Sequence, residues 1–495
     1  MSDNGSPPLA HREMDPETFR RHGYAMIDWI ADYLAHAERY PVLSQVSPGY
    51  LRRALPEQAP EQGEPMERIF ADFQEQILPG ITHWNSPTFF AYFAITGSGP
   101  GILGELLAAA LNVNGMLWRT SPAVVELEDV ALGWLRELLG LPSEFDGTIN
   151  DTASTSVLYA LAAAREAAPG LRARELGLSG APRLRLYQSQ EAHSSVDKAA
   201  ITLGIGQQGI RKIPTDAEFR MDPAALRAAI QEDLAAGWQP FAVVATVGTT
   251  STTSVDPVPA IADVCAEYGL WLHVDAAYGG TAAILPERRW VLEGCERADS
   301  LVVNPHKWLF TPIDCSALYC RRPEVLKQAF SLVPEYLRTS EPDGIKNLMD
   351  YGNALGRRFR ALKLWMVLRW FGQEGLRALL REHLRLAQQL AERIDAASEF
   401  ERLAPVPFAT VVFRYHPADV ADEAELERLN AALLERLNTS GEVFLSHTRL
   451  PGGQYALRVS VGNARTEQRH LDRLWELLQQ TACTLPRGTI AAVGG

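Results

Sequence analysis

The stretch DSLVVNPHKWLFTPIDCSALYC, Asp299 to Cys320, sets two short apolar runs, DSLVVN and SALYC, on either side of a lysine. Short apolar runs of this kind, bounded by turn residues, read as buried strands. Lys307 between them needs a reason, because taking an ammonium out of water costs several kcal/mol. Either its stem reaches back to the surface, or the amine is wanted inside, neutral and reactive. Three similar strands precede it: RLRLYQSQ (183–190), PFAVVATVG (240–248) and LWLHVDAA (270–277). Helical stretches such as SVLYALAAAREAA and PVPAIADVCAEYG separate several of them. Strands alternating with helices predict an α/β fold with a mostly parallel sheet covered on both faces.

This pattern occupies residues 86–375, the expected large domain. In the segment before it, 1–85, Asp15-Pro16 reads as an N-cap followed by Pro at the first helical position. Phe19, Met26, Ile27, Ile30, Tyr33 and Leu34 then make one face of a helix ending near Tyr40. A Pro/Gly-rich connector leads to a second amphipathic helix bearing Ile69, Phe70, Phe73, Ile77 and Leu78. Two such helices cannot bury their apolar faces on each other alone, so they are expected on the main domain or on another subunit. After Gly372 a long helix, two strand-like pieces (ATVVFRYH, YALRVSVG) and a final helix predict a small α+β domain over 376–495.

The 495 residues are 46% hydrophobic, enough for a large core, and the formal charge is -13. An acidic surface repels phosphate backbones, so neither nucleic acid nor an anionic membrane is an expected partner. Five cysteines without a CxxC point to reduced structural thiols. The N-terminus lacks the basic-then-apolar order of a signal peptide. The most apolar long segment, PGILGELLAAALNVNGMLW, is too polar to span a membrane. The expected location is the cytoplasm.

Ligand-binding residues of open α/β sheets gather where strands end. The 183–190 strand runs into His193, and the 240–248 strand ends in Gly248, Thr249 and Thr250. The next ends in Asp275, Ala276 and Ala277, and the next in Asn304, His306 and Lys307. Upstream, TASTS (152–156) precedes a strong helical run, and a helix start leaves N–H groups free for a phosphate. Pyridoxal 5'-phosphate asks for this combination: a lysine for its aldehyde, a carboxylate for its ring nitrogen, donors for its phosphate. An Asp–pyridinium pair at about 4 Å gains roughly 4 kcal/mol at an effective dielectric near 20, before desolvation. Each residue alone has a blander reading. Asp275 suits a helix cap, His193 a structural histidine, Lys307 a snorkelling side chain and TASTS a plain helix start. Together these would be four coincidences at consecutive strand ends.

NPHKW, HVDAAYGG, HWNSPTFFAYF, the TAS segment, EAHSSVDKAA and LGRRFRALKLW together resemble the group II pyridoxal-phosphate-dependent decarboxylases, and within them the aromatic-L-amino-acid decarboxylases. The resemblance runs from FRRHGYAMIDWIADYL to VSVGNARTE. It implies a fold type I, aspartate-aminotransferase-like large domain with a mostly parallel seven-stranded sheet. It also implies a homodimer with active sites at the interface, the N-terminal helices packing on the partner. By this likeness Lys307 bonds the coenzyme aldehyde, Asp275 pairs with its ring nitrogen, Ala277 packs beneath the ring and His193 stacks above it. Ala153, Ser154 and Asn304 would hold the phosphate, supported by His306 and Thr250.

The resemblance also implies a reaction, decarboxylation of an aromatic L-amino acid to its amine. Tyr336, in the Pro/Gly/Ser-punctuated stretch SLVPEYLRTSEPDG, matches the family's proton-donating loop tyrosine. Relatives with Phe there, or Asn at the stacking histidine, tend to be oxygen-using aldehyde synthases. This chain has Tyr336 and His193, which favours the amine. Trp84 and Tyr92 offer aromatic surface to the substrate. Gly356 matches a position where plant relatives carry Gly for indoles and Ser for phenols. Asn114 and Met116 stand where animal members carry apolar and aromatic pocket residues, and Asn114 is placed to meet a ring hydroxyl or indole N–H.

Overall fold

A computed structural model describes residues 13–332 and 344–486. Its centre is a seven-stranded sheet built from β1 (Asp146–Asn150), β2 (Leu184–Ser189), β3 (Ile210–Ile213), β4 (Gln239–Thr246), β5 (Trp271–Asp275), β6 (Ser300–Val303) and β7 (Ser316–Cys320). The spatial order is β1-β7-β6-β5-β4-β2-β3. The pairs β3–β2, β2–β4, β4–β5 and β5–β6 are parallel, while β7 runs antiparallel to both its neighbours. The sheet is buried on both faces because successive residues alternate between two cores. Leu186, Val244, Val302 and Leu318 pack towards Val157 and Ala160 of the helix Ala153–Ala167. Tyr187, Val243, Leu301 and Tyr319 enter the core that contains Leu135 of the helix Pro122–Leu139.

All five strands expected from the sequence form. Two further strands, β1 (DGTIN) and β3 (IRKI), lie outside that expectation. A second sheet has the order β10-β11-β9-β8, from β8 (Phe400–Arg402), β9 (Thr410–Tyr415), β10 (Ser446–Arg449) and β11 (Tyr455–Ser460). It is stitched to the first. Ser251 Oγ lies 2.8 Å from Thr448 Oγ1, and Arg458 Nε donates to the Ser251 carbonyl at 2.9 Å. The helix expected after Gly372 belongs to a longer one, Arg360–Ala396, broken where Gly372 takes φ 61°.

At the N-terminus the helix Pro16–Ala35 begins where Asp15 was expected to cap it, Oδ1 accepting from the Glu17 and Thr18 N–H groups at 3.0 Å. It stops at Ala35, short of Tyr40. Trp29 touches Phe70 and Phe73 edge-on, yet no residue of the helix is buried. The helix Gly99–Leu111 is also half-covered. Its Gly104 lies against Lys363, where a Cβ would come within 2.7 Å of the lysine backbone. Leu103, Leu106, Leu107 and Leu111 on it face outward.

Candidate active site

The parallel strands end along one edge, and there the expected residues meet. Asp275 closes β5, buried, its Oδ1 accepting the Ala277 N–H at 3.1 Å. Val303 opposes Ala317 across β6 and β7, so the next pair is Asn304 with Ser316, and Ser316 in turn faces Asn150 on β1. Asn150, Ser316 and Asn304 thus form one row. In the first turn of the helix Ala153–Ala167, Ser156 Oγ reaches two of them, at 3.1 Å from Asn150 Nδ2 and 2.9 Å from Ser316 Oγ. The row therefore faces that helix start, where Ala153 and Ser154 carry N–H groups with no partner within the helix. Thr152 caps the turn through the Thr155 N–H. Thr250 stands exposed in the loop after β4.

Lys307 follows β6 in the short turn Pro305–Trp308, its N–H donating to the Asn304 carbonyl at 2.9 Å. Its Nζ lies 5.3 Å from the centre of the Phe93 ring. Phe93 stacks on Tyr278 at 3.9 Å, and Tyr278 on Trp308 at 5.0 Å. Burial holds the Lys307 pKa below its ordinary value, partly opposed by the charge of Asp275. The amine is thereby shifted towards its neutral, nucleophilic form, which answers why a lysine interrupts the apolar run. His193 feels the same two groups: burial and Lys307 lower its pKa, and Asp275 opposes them. Its Nδ1 accepts the Ser195 backbone N–H at 3.2 Å, so the neutral ring carries its hydrogen on Nε2.

Among the substrate candidates, Trp84 stacks on Tyr92 with centroids 5.8 Å apart, and Phe89 and Phe444 complete an aromatic cluster. Asn114, Met116 and Gly356 form a second set. Asn114 Oδ1 accepts the Arg357 N–H at 2.9 Å and its Nδ2 lies 3.6 Å from Met116 sulfur. Its oxygen thus holds the Gly356 loop, with its second lone pair and the Nδ2 group left for a ring. Tyr336 lies outside the described residues. One residue escaped the sequence reading: Arg458, buried in β11, its guanidinium carbon 5.4 Å from the Phe93 ring centre. No carboxylate pairs with it among the described residues, and burial lowers its pKa to about 10. A lone arginine inside YALRVSV is the same anomaly as Lys307, and was the available signal.

The chain matches the family model described as the pyridoxal-dependent decarboxylase conserved domain over residues 48–416. It is 43% identical to tryptophan decarboxylase TDC2 of Camptotheca acuminata, covering 96% of each chain. It is 41% identical to a phenylacetaldehyde synthase of Petunia hybrida, covering 95% of each. A solved structure of Oryza sativa TDC with PLP and tryptamine superposes with a TM-score of 0.92 at 39% identity, over 95% of this chain and 99% of that one. The donor set fits pyridoxal phosphate. A neutral-leaning amine, a buried carboxylate and a helix start converge, and buried Thr246 Oγ1 and Asn304 Oδ1 have no protein partner.

Proposed function

The chain belongs to the pyridoxal-dependent decarboxylases, and on that premise we propose that it converts aromatic L-amino acids to arylalkylamines and CO2. The observation that carries this reading is the convergence of Lys307, Asp275 and His193, with Asp275 acting on the charge of both the others and Lys307 on that of His193. Bound pyridoxal phosphate supplies an electrophilic aldehyde and a cationic ring that accepts the electron pair left when CO2 departs. Lys307 Nζ is the amine that would bond this aldehyde, and Asp275 would hold the proton on the ring nitrogen. Ala277 would pack beneath the ring, and the neutral His193 would offer it a flat face and an Nε2–H from the other side. Ala153, Ser154 and Asn304 would hold the phosphate, and Thr250 and His306 would support the same shell. Arg458 supplies positive charge beside Phe93 on which a substrate carboxylate can rest. Trp84 and Tyr92 offer aromatic surface for the substrate ring. Tyr336 is the proposed proton donor to Cα.

Two copies are proposed to pair through the outward leucines of the helix Gly99–Leu111 and the uncovered helix Pro16–Ala35, since such surface is costly to leave in water. Exposed Gly356 and Asn114 adjoin that face and are proposed to complete the partner's pocket. The five cysteines are free, four of them buried, which suits a reducing cytoplasm. No described helix is long and apolar enough to cross a membrane.

The test is incubation of the purified enzyme and coenzyme with Trp, Tyr, Phe, dihydroxyphenylalanine, His and Glu, reading amine, aldehyde and peroxide. Amine from the aromatic substrates without peroxide is expected. Exclusive turnover of Glu or His would overturn the substrate class. Equimolar aldehyde and peroxide would instead establish an oxygen-using aldehyde synthase, the reading the Petunia relative makes the main alternative. Tyr336→Phe is expected to divert product to aldehyde, ammonia and peroxide, and undiminished amine formation would remove Tyr336 from its role.

A further inference from the structure

Asn304 and His306 share one short contact, and its chemistry is over-determined. His306 Nδ1 lies 2.8 Å from the backbone nitrogen of Cys315. A peptide N–H only donates, so Nδ1 must present its lone pair. A neutral His306 then carries its hydrogen on Nε2, and burial drives the ring's pKa down to about 3, which keeps it neutral. Nε2 is 3.2 Å from the terminal Nδ2 of Asn304 as placed. Two donors would face each other there. The other end of the same amide, Oδ1, is buried with no partner at all. Exchanging the two atoms, a half-turn of a nearly symmetric amide, cures the clash. Oδ1 then accepts from Nε2–H, and the NH2 group takes the position of the orphan atom.

We propose that His306 is a positioning residue that locks the Asn304 amide with its NH2 group turned towards the anion cradle at the start of the helix Ala153–Ala167. Register puts Asn304 in the row with Ser316 and Asn150 that faces this helix start. Without the histidine the amide is free to turn, and its oxygen would then meet the phosphate with like charge. His306 therefore acts through Asn304 and not on the coenzyme. The inference rests on the coenzyme reading above and adds the route by which one of its donors is oriented.

The experiment is a double-variant cycle on coenzyme binding, followed by absorbance as pyridoxal phosphate is added to apoenzyme. His306→Phe and Asn304→Ala are each expected to weaken binding about tenfold or more, the scale of one charge-assisted hydrogen bond. The double variant is expected to bind no more weakly than Asn304→Ala alone. His306→Gln, whose amide can donate to Oδ1, is expected to recover part of the loss. Unphosphorylated pyridoxal should bind wild type and His306→Phe alike. Additive losses, or an equal loss towards pyridoxal, would overturn the proposal. Should His306→Phe fail to fold, His306→Leu and Asn304→Ala with their double variant give the same cycle. A wild-type apoenzyme that bound no coenzyme would sink the coenzyme reading itself, a separate outcome.

Discussion

The two edges of the large sheet treat buried polar groups in opposite ways. At the edge where the parallel strands begin lies a cavity of about 560 Å³ floored by Phe241, Leu270 and Trp271 and rimmed by Arg297, Arg321 and Arg322. Its charges are already satisfied. Arg322 donates to Asp299 at 2.8 Å, Arg297 to Asp263 at 2.7 Å, and Arg321 to the Arg297 carbonyl at 3.1 Å. At the other edge Thr246 Oγ1, the end of the Asn304 amide turned away from His306, and Arg458 Nη2 are buried without partners. An unpaired buried polar group costs about 1–3 kcal/mol, so several gathered at the ends of the strands favour a ligand that completes them. Volume marks a hollow; unfinished chemistry marks a site.

Replacing groups at the two edges should therefore separate activity from stability. The largest effect is expected for Lys307→Ala, a loss of about a thousandfold or more in kcat with the protein still folded. Activity above a tenth of wild type would remove the lysine from the reaction. Asp275→Asn is expected to cost about a hundredfold in kcat and to weaken coenzyme binding, as loss of one buried electrostatic partner does. Unchanged values in both would break the contrast at its centre.

A smaller effect concerns pH. His273 and His383 are fully buried, and burial holds each folded-state pKa near 4, below the ordinary value near 6.5. As pH falls the unfolded chain takes up these protons first. The stability contributed is present above about pH 6.5 and is lost progressively down to about pH 4. By pH 5 the loss is roughly 2 kcal/mol for each histidine. A urea midpoint unchanged between pH 7.5 and pH 5 would refute this. The smallest effect is expected at the opposite edge, where Asp299→Asn should lower stability by about 1 kcal/mol and leave kcat/KM untouched. A loss of activity there would mean that the paired edge is functional after all.

Much of this was legible because strands and their ends carry strong local signals. β2, β4, β5, β6 and β7 are apolar runs, and their C-terminal neighbours His193, Thr250, Asp275, Asn304 and Lys307 could be read in order. β1, by contrast, is Asp-Gly-Thr-Ile-Asn, turn residues by composition, and becomes a strand only because β7 pairs with it in register. β10, Ser-His-Thr-Arg, is held by β11 in the same way. The structural bond of Asn114 to the Arg357 N–H was not legible, because its partner lies far along the chain and no local pattern announces it. Arg458 hid for a related reason. In a strand pattern it passes for the polar side of an alternation, although β11 is buried on both faces from Ala456 to Ser460.

The stitches between the sheets limit how the molecule can be divided. Ser251 follows Thr250, a proposed coenzyme contact, yet its carbonyl is held by Arg458 and its hydroxyl meets Thr448, both far downstream. A polypeptide truncated at residue 375 would keep the reactive lysine and its acidic counterpart. It would lose the clasps that shape the neighbouring loop, and supplying the missing C-terminal segment in trans would have to restore them before vitamin retention returned.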